Sequence, residues 1–315
     1  MAKINDLIFN TFLNRGFKLV NDIRTWDVSD SKLWYLSPEQ AQGYLDLEKD
    51  ETYKNSIIQN EIILIEDLLP EILPRLELTN YNLIDLGCGD GKKASILYKK
   101  IGNYKMLRYC PVDISSFMVS SAMQTIINDL DDGRVLNSHW NISDFENLDN
   151  ITPIFRDKVF GNHFILFLGN TLGNFECESI LSSISNCMVK GDFLLVGNGI
   201  GDTSKMDSWV TNYKSEHINS WLIKVITQIG LSADDVDYEV QANGNRIEEV
   251  YILIKDKKVE HLGKFLDFKK GDKIIVATSY KYSKEYLIDK SENFFDSVTS
   301  YSNKDDSYIL LFCQK

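Results

Sequence analysis

The chain has 315 residues, of which 43% are hydrophobic, and a formal net charge of −12 at pH 7. This length and composition allow a large core within one or two domains. Because nucleic-acid affinity depends on Lys and Arg contacts to phosphates, the acidic balance argues against an enzyme of DNA or RNA and favours a small-molecule substrate.

The cysteines and the lack of long apolar runs bear on the compartment. There are five cysteines, an odd number, and no two have the C-x-x-C spacing, so we expect a reduced protein without structural zinc. The four histidines form no metal-ligand motif, and no metal is expected. The N-terminal sequence lacks an apolar signal region, and no run approaches the ~20 apolar residues that cross a bilayer. We therefore expect a cytoplasmic monomer without nucleic-acid or membrane partners.

In chain order, residues 1–56 are rich in aromatic residues and have no clear period. Apolar residues then recur at helical spacing over 57–73, which predicts a helix that is bent or interrupted near Pro70. Apolar runs next alternate with helical stretches. The predicted strands are 82–86, 106–112, 134–141, 163–168 and 192–198, and the predicted helices lie near 91–101, 115–130 and 176–188. This alternation predicts a parallel α/β sheet covered on both faces.

The pattern changes after residue 200. Residues 203–230 are predicted to be helical. Five predicted strands follow, and Asn243-Gly244-Asn245 is typical of a hairpin turn. The predicted strands of this part are 236–241, 246–254, 273–280, 293–300 and 308–313. The sequence thus predicts a Rossmann-like core that is interrupted by an inserted α+β segment and closed by an antiparallel C-terminal edge.

A glycine-rich loop, Ile84-Asp-Leu-Gly-Cys-Gly-Asp-Gly-Lys92, joins a predicted strand to a predicted helix. Such a turn lets the backbone approach a bound cofactor, and the N–H groups of the helix start can meet a polar or anionic group. The spacing is G-x-G-x-G, with Lys92 where the dinucleotide fingerprint G-x-G-x-x-G has its third glycine. The loop resembles the first motif of S-adenosylmethionine-dependent methyltransferases. Its predicted cofactor-binding residues are Asp85, Gly87, Cys88, Gly89, Gly91 and Lys92.

Acidic residues near the ends of successive strands extend this cofactor site. Asp85 either orders the glycine turn beside the cofactor or only caps it. Asp113 can accept both ribose hydroxyls, although Asp113 or Ser115 is also a candidate helix N-cap. After the next strand, Asp144 can accept from the adenine amino group while Phe145 packs on the ring. These residues are expected to meet at the carboxyl edge of the sheet, where open α/β folds bind their ligands.

A third segment, Phe167-Leu-Gly-Asn-Thr-Leu-Gly-Asn-Phe175, is a glycine-flanked loop that carries amide side chains. Together with Cys110–Ser115 and Ser143–Phe145, it resembles the histidine-specific methyltransferase family. That family includes the ergothioneine-pathway enzyme that trimethylates the α-amino group of histidine, and fungal N-methyltransferases of dimethylallyltryptophan. The stretch Trp34–Tyr53 and Ser279-Tyr-Lys-Tyr282 extend the resemblance over most of the chain.

The resemblance implies a fold, a cofactor, and separate regions that bind the cofactor and the substrate. It implies a class I methyltransferase sheet, S-adenosylmethionine as methyl donor, S-adenosylhomocysteine as product and no metal. It implies a cofactor-binding core of 57–200 plus 281–315 and a substrate-binding lid of 1–56 plus 201–280. The expected substrate is a small amino-acid-like molecule, and natural-product biosynthesis is the expected context.

The resemblance also implies substrate contacts. Asn174 would hold the carboxylate or amine of an amino acid, Tyr213 would bind the carboxylate, and Tyr53 would lie near the side-chain pocket. Ser279 belongs to the matched substrate segment. The alternatives are an N-cap for Asn174 in Gly-Asn-Phe-Glu, and ordinary aromatic packing for the two tyrosines.

One position departs from the family pattern. Two residues before Ser279, the histidine enzymes have an imidazole-binding glutamate, and this chain has Ala277. Leaving an imidazole N–H unpaired would cost ~1–3 kcal/mol, so free histidine is not expected to be the best substrate. The expected reaction is methylation of the α-amino group of a less polar amino acid or derivative. The alternatives are an O- or ring-N-methyltransferase of a small natural-product intermediate, a nicotinamide-dependent oxidoreductase, and a non-catalytic cofactor-binding protein.

Overall fold

A computed structural model of the chain describes residues 4–49, 58–76, 80–102, 106–130 and 135–315. The α-helices of these residues are α1 (Asp6–Arg15), α2 (Pro38–Leu47), α3 (Gln59–Ile72), α4 (Lys92–Gly102), α5 (Ser116–Asp129), α6 (Leu148–Phe155), α7 (Cys177–Asn186), α8 (Met206–Tyr213), α9 (Glu216–Thr227) and α10 (Lys284–Glu292). The strands are β1 (Lys18–Val20), β2 (Ile23–Asp27), β3 (Tyr81–Leu86), β4 (Leu107–Asp113), β5 (Asn141–Ile142), β6 (Asn162–Phe167), β7 (Phe193–Gly199), β8 (Val236–Asn243), β9 (Arg246–Leu253), β10 (Lys257–His261), β11 (Lys264–Phe268), β12 (Lys273–Tyr280), β13 (Ser297–Ser302) and β14 (Tyr308–Gln314).

The chain divides into two compact units. The core unit comprises Glu48–Gly201 and Tyr282–Lys315, and the insertion unit comprises Met1–Leu47 and Asp202–Lys281. The core unit contains a seven-stranded sheet with the order β13-β14-β7-β6-β3-β4-β5. Strands β3 to β7 pair in parallel, whereas β14 runs antiparallel to both β7 and β13. The predicted Rossmann-like α/β sheet with an antiparallel C-terminal edge is therefore confirmed.

Continuous apolar runs form the central strands of this sheet. Every residue of β3 and β4 is buried, because helices cover both faces of a parallel sheet. The strand order reverses between β3 and β6, and ligands of open α/β sheets bind at the carboxyl edge of such a switch point. Helix α3 continues through Pro70 to Ile72, so it is not interrupted there. Pro70 is exposed, and water can satisfy the carbonyl group that the proline leaves without a donor.

Several predicted elements of the core unit are wrong. The third strand was expected over 134–141, but within the described residues 135–142 only Asn141 and Ile142 form β5. Val135 is 90% exposed and Trp140 is 55% exposed, so the apolar residues of this stretch do not enter the core. Helices α6 and α10 were not predicted. The last-but-one strand begins at Ser297 rather than 293, because α10 and its C-cap occupy the residues before it.

The insertion unit contains a five-stranded sheet with the order β1-β2-β12-β9-β8. Strand β2 pairs in parallel with β12, and the other neighbours are antiparallel. The N-terminal segment therefore completes a sheet with strands from residues 236–280. The hairpin predicted around Gly244 joins β8 to β9, whereas the hairpin of β10 and β11 was not predicted. The helical stretch 203–230 contains two helices, because Ser215 starts α9 by accepting from the backbone of Ile218.

Candidate functional site

The glycine turn after β3 has the backbone geometry of a cofactor cradle. Gly87, Gly89 and Gly91 have φ angles of 67°, 53° and 75°, in the left-handed region that favours glycine. A Cβ atom on Gly91 would lie 2.7 Å from the Cα of Ala122, so this glycine lets α4 begin against α5. A Cβ atom on Gly89 would meet nothing within 4 Å among the described residues. The turn therefore combines tight packing at one glycine with an open approach at another.

Cys88 lies within this turn and is buried. Burial raises the pKa of its thiol well above the ordinary value, and the nearby carboxylates raise that pKa further. The thiol is therefore protonated at neutral pH. A nucleophilic cysteine needs thiolate character, so packing accounts for Cys88 in the loop.

Asp113 ends β4 beside the glycine turn and is 8% exposed. Its carboxylate accepts from the backbone N–H of Ser115 at 2.9 Å. Burial raises the pKa of Asp113 to about 6, while hydrogen bonds from the backbone of Ser115, Gly89 and Ile114 oppose that rise. The N-cap of α5 is Ser115, whose Oγ accepts from the backbone of Met118. Asp113 is therefore not the N-cap of α5. Its carboxylate can accept hydrogen bonds from hydroxyl groups of a ligand.

Asp85 is also buried at the carboxyl end of its strand, and it accepts from the Tyr109 hydroxyl at 2.7 Å. Burial raises the pKa of Asp85 to about 7, and the Tyr109 hydrogen bond and the charge of Lys93 lower it. Lys92 behaves differently, because its ammonium pairs with Asp90 at 2.5 Å and its side chain is 68% exposed. The structure thus gives Lys92 a solvent-exposed ion pair and gives Asp85 a buried hydrogen bond.

Phe145 follows β5 and packs beside the glycine turn. A Cβ atom on Gly87 would lie 3.4 Å from the Phe145 ring. The ring centroid lies 5.6 Å from both Phe167 and Phe175, so Phe145 belongs to an aromatic cluster at this edge. Asp144 is half-buried and accepts from Asn147 at 2.9 Å. The core unit therefore brings together the predicted cofactor residues that follow β3, β4 and β5.

Sequence reasoning missed Glu61, which organises the loop after β6. This carboxylate on α3 is fully buried. It accepts from the backbone of Gly169 at 3.0 Å, from the Tyr308 hydroxyl at 2.7 Å and from Lys93 at 2.7 Å. A Cβ atom on Gly197 would overlap Glu61, so that glycine makes room for the carboxylate. The available signal was the position of Glu61 on the buried stripe of α3.

Asn174 lies at the end of the 3-10 helix Thr171–Asn174 and is half-buried. The N-cap of α7 is Glu176, which accepts from the backbone of Glu178 and Ser179. Capping therefore does not explain Asn174. Its side-chain amide has no hydrogen-bond partner within the part of the chain that the structure describes, so both its donors and its acceptor are available to a ligand.

In the insertion unit, the structure brings together Tyr213 and Ser279 through Lys281. The hydroxyl of Tyr213 lies 2.9 Å from that of Ser279, and Lys281 donates to both, at 2.7 Å and 2.8 Å. Lys281 is 6% exposed, and its ammonium lies 4.5 Å from the centroid of the Tyr213 ring. A buried ammonium beside two hydroxyls is an arrangement that can bind a carboxylate. Lys281 was not among the predicted site residues, although it lies in the matched Ser-x-Lys segment.

Ala277 lies on β12 and is 3% exposed. Its partner across the antiparallel ladder is Glu249 of β9. Residues two apart on a strand share a face, so Ala277 and Ser279 are on the same side of the sheet. Tyr53 lies outside the described residues.

No group of three His, Cys, Asp or Glu side chains could hold a metal ion, as far as the described ranges extend. The buried His163 instead lies 3.1 Å from Asn82 and 2.9 Å from the carbonyl of Thr152. No helix within the ranges given above is both long and apolar enough to span a bilayer.

Several solved structures are similar to this chain at low sequence identity. No curated protein matches the chain significantly. An S-adenosylmethionine-dependent methyltransferase from Clostridium acetobutylicum ATCC 824 is 14% identical, covers 80% of this chain and 90% of its own, and has a TM-score of 0.44. The PH0226 protein from Pyrococcus horikoshii OT3 is 12% identical, with 85% and 93% covered and a TM-score of 0.43. The plantazolicin methyltransferase BpumL, solved with S-adenosylhomocysteine, is 14% identical, with 68% and 78% covered and a TM-score of 0.37. With TM-scores below 0.5, these likenesses assign no function.

The family comparison is more extensive. The model of a family described as histidine-specific, S-adenosylmethionine-dependent methyltransferase matches residues 51–315. The match covers the core unit from residue 51 onward and the whole of 202–281. The chain therefore belongs to the histidine-specific, S-adenosylmethionine-dependent methyltransferase family.

Proposed function

We propose that the protein transfers a methyl group from S-adenosylmethionine to the α-amino group of an amino acid or an amino-acid derivative. Membership of the family gives the cofactor and the reaction type. The acceptor is inferred from the residues. The observation that carries it is the cluster of the half-buried Tyr213 with the buried Ser279 and Lys281, which is suited to the carboxylate of an amino acid.

The charge of this cluster supports a carboxylate ligand. Lys281 is an ammonium buried beside two hydroxyls, and a charge-assisted hydrogen bond to a carboxylate is roughly twice as strong as a neutral one. Asn174 offers an unbonded amide that can donate to a carboxylate or accept from an amine. We propose that Tyr213 recognises the carboxylate of the amino-acid head, as the resemblance implies.

We propose that the core unit binds the cofactor and that the insertion unit binds the substrate. In the core unit, Asp113 would accept the ribose hydroxyls, Phe145 would pack on the adenine ring and Asp144 would accept from its amino group. The glycine turn, with its positive φ angles, would hold the methionine part. The open space at Gly89 and the buried carboxylate of Asp113 fit such a ligand.

The reaction is an in-line displacement, and the bound cofactor supplies an activated methyl group. The protein mainly aligns donor and acceptor, which lowers the entropic part of the barrier. The acceptor amine must be neutral, and a binding site that selects the neutral amine lets water take the released proton. We assign no general base. The expected products are the N-methylated amino acid and S-adenosylhomocysteine.

Ala277 bears on the side chain of the substrate. A methyl group offers no partner to a second polar ring atom, so we propose that free histidine is not the best substrate. An aromatic side chain of lower polarity matches Ala277 better. This part of the proposal concerns the side chain alone and leaves the recognition of the amino-acid head unchanged.

The test is a methyl-transfer assay with labelled S-adenosylmethionine and a panel of amino acids. Each acceptor is paired with its methyl ester and its N-acetyl derivative. We expect transfer to free amino acids, weaker transfer to esters and none to N-acetyl derivatives. Lys281→Met should raise KM for the free acid far more than for the ester, whereas Lys264→Met, at an exposed lysine of the same unit, should change neither. Methylation of an oxygen or a ring nitrogen, or no transfer to any amino acid, would contradict the proposal.

A further inference from the structure

Glu249 lies directly opposite Ala277 in the antiparallel pairing of β9 and β12. Opposite residues in such a pair project their Cβ atoms to the same face, about 4.5–5.5 Å apart. Ser279 is on that face too, because it lies two residues beyond Ala277. The pairing therefore places a carboxylate side chain beside the methyl group of Ala277, on the face that carries the Tyr213–Ser279–Lys281 cluster.

The carboxylate of Glu249 is buried and incompletely bonded. The residue is 4% exposed. Its Oε2 atom is buried and has no hydrogen-bond partner among the residues that the structure describes. Lys281 donates to Tyr213 and Ser279 instead. Burial raises the pKa of Glu249 to about 7, and the charge of Lys281 opposes this rise.

The neighbouring Glu248 shows what a structural carboxylate looks like in the same strand. It accepts from Gln241 at 2.8 Å and from Asn243 at 2.9 Å, and it pairs with Arg246 at 2.7 Å. Its side chain projects to the opposite face, since consecutive residues of a strand alternate. Both carboxylate oxygens of Glu248 thus have hydrogen-bond donors from the same sheet, whereas the Oε2 atom of Glu249 has none among the described residues.

A buried acceptor without a donor is unfavourable, and a ligand that brings an N–H group removes this penalty. Ala277 limits what else the ligand can present there. A ring with a second polar nitrogen would place it against a methyl group, whereas a ring with one N–H and an otherwise apolar edge would satisfy both residues. The two opposite residues together therefore favour a side chain with a single ring N–H.

We propose that Glu249 accepts a hydrogen bond from a ring N–H group on the side chain of the amino-acid substrate and is a specificity-determining residue of this enzyme. The inference rests on the proposed function. It assigns the substrate class as aromatic amino acids with one ring N–H, of which an indole is the simplest. The carboxylate oxygen keeps its lone pair and no covalent bond changes in this contact.

The experiment compares two acceptors of nearly equal shape. These are tryptophan and its analogue in which sulfur replaces the ring N–H. At pH 8, where Glu249 is mostly ionised, the unmodified enzyme should prefer tryptophan in kcat/KM by about tenfold to a hundredfold, the range for a hydrogen bond to a charged group. In Glu249→Met, of similar volume, this preference should fall to about one. In Glu249→Gln it should be intermediate, because the amide oxygen still accepts. Glu239→Gln, at an exposed position on β8, is the matched control and should keep the full preference.

Each outcome decides between the alternatives. If Glu249→Met does not fold, as judged by its melting curve and by cofactor binding, Glu249→Gln carries the comparison. An unmodified enzyme that does not distinguish the two acceptors overturns the inference, and so does a preference that survives without change in Glu249→Met or, where that variant does not fold, in Glu249→Gln. In those cases methyl transfer to amino acids still stands. Absence of transfer to every amino acid overturns the proposed function, and the role of Glu249 with it.

Discussion

Both carboxylate oxygens of Glu61 lie 3.0 Å from the backbone nitrogen of Gly169, so a side chain of α3 holds the start of the loop that leads to Asn174. Lys93 forms an ion pair with the same carboxylate, and the Tyr308 hydroxyl donates a hydrogen bond to it. The loop conformation therefore depends on a buried charge that comes from a distant part of the chain. Glu61 is a positioning residue for this loop.

Glu61→Gln should destabilise the protein by about 3–5 kcal/mol, because it removes one partner of a buried ion pair and leaves Lys93 without its carboxylate. Urea unfolding of the variant measures this loss. Hydrogen exchange at the Gly169 amide should also become faster. Glu66→Gln, at an exposed position on the same helix, is the control. Equal stability and equal exchange in the two variants would contradict the positioning role.

Asp113→Ala should weaken the binding of S-adenosylhomocysteine by about 1.5–3 kcal/mol, the range for a lost hydrogen bond to a charged group. Titration calorimetry gives the affinity directly. Asp149→Ala removes an exposed aspartate of the same unit and should leave the affinity unchanged. An unchanged affinity in Asp113→Ala would remove this residue from the cofactor site.

The glycine turn allows backbone strain and steric overlap to be separated. Gly89→Ala introduces a Cβ atom at φ 53° with open space around it, so strain alone acts, at about 1–2 kcal/mol. Gly91→Ala adds an overlap with the backbone of Ala122 at 2.7 Å, so its loss of unfolding free energy should be larger by about 1–3 kcal/mol. Urea unfolding of both variants without ligand measures the difference. Equal losses would show that α4 shifts without cost.

The raised pKa of Glu249, about 7, has a defined effect on stability. The unfolded chain releases this proton near pH 4.5, whereas the folded protein keeps it to about pH 7. Between these values the folded state binds more protons, so stability falls as pH rises. Glu249→Gln removes this dependence, and its unfolding free energy relative to the unmodified protein should increase from pH 5 to pH 8. Glu239→Gln should show a constant difference, and a constant difference for Glu249→Gln would contradict the burial of an ionisable carboxylate.

Moving the carboxylate tests the pairing of Glu249 and Ala277. Ala277→Glu alone puts two like charges opposite each other, which should lower stability and reduce transfer to tryptophan. Ala277→Glu combined with Glu249→Ala keeps one carboxylate on the same face. The double variant should recover stability and shift kcat/KM from tryptophan toward histidine. Additive effects of the two substitutions would show that these side chains do not interact.

The sequence was sufficient for features that depend on local pattern. Strands β3 and β4 lie within a residue or so of their predicted bounds, because unbroken apolar runs between turns are unambiguous. The strand predicted around Trp140 was wrong because the apolar residues of that stretch are exposed, and hydrophobicity alone does not show which residues enter the core. The positions of Asp113 and the glycine turn between a strand and a helix could be predicted, because their spacing along the chain is fixed by the elements that they join.

Features that depend on contacts between distant parts of the chain could not be predicted from the sequence. Glu249 is 28 residues from Ala277 in the chain, and only the register of β9 and β12 makes them neighbours. Glu61 looks like any polar residue of an amphipathic helix until Gly169 and Tyr308 are brought to it. Asn174 could not be separated from a helix cap until Glu176 was seen in that position.

The parallel pairing of β2 with β12 has a consequence for synthesis. Trp26 of β2 donates to Asp272 at 3.0 Å across a separation of 246 residues. At roughly 5–20 residues per second, β2 leaves the ribosome roughly 10–50 s before its partner exists. Most of the core unit is translated in that interval and can begin to fold, while β2 has an unpaired edge that other chains can recognise. We therefore expect β2 to stay protease-sensitive during translation until β12 has been synthesised.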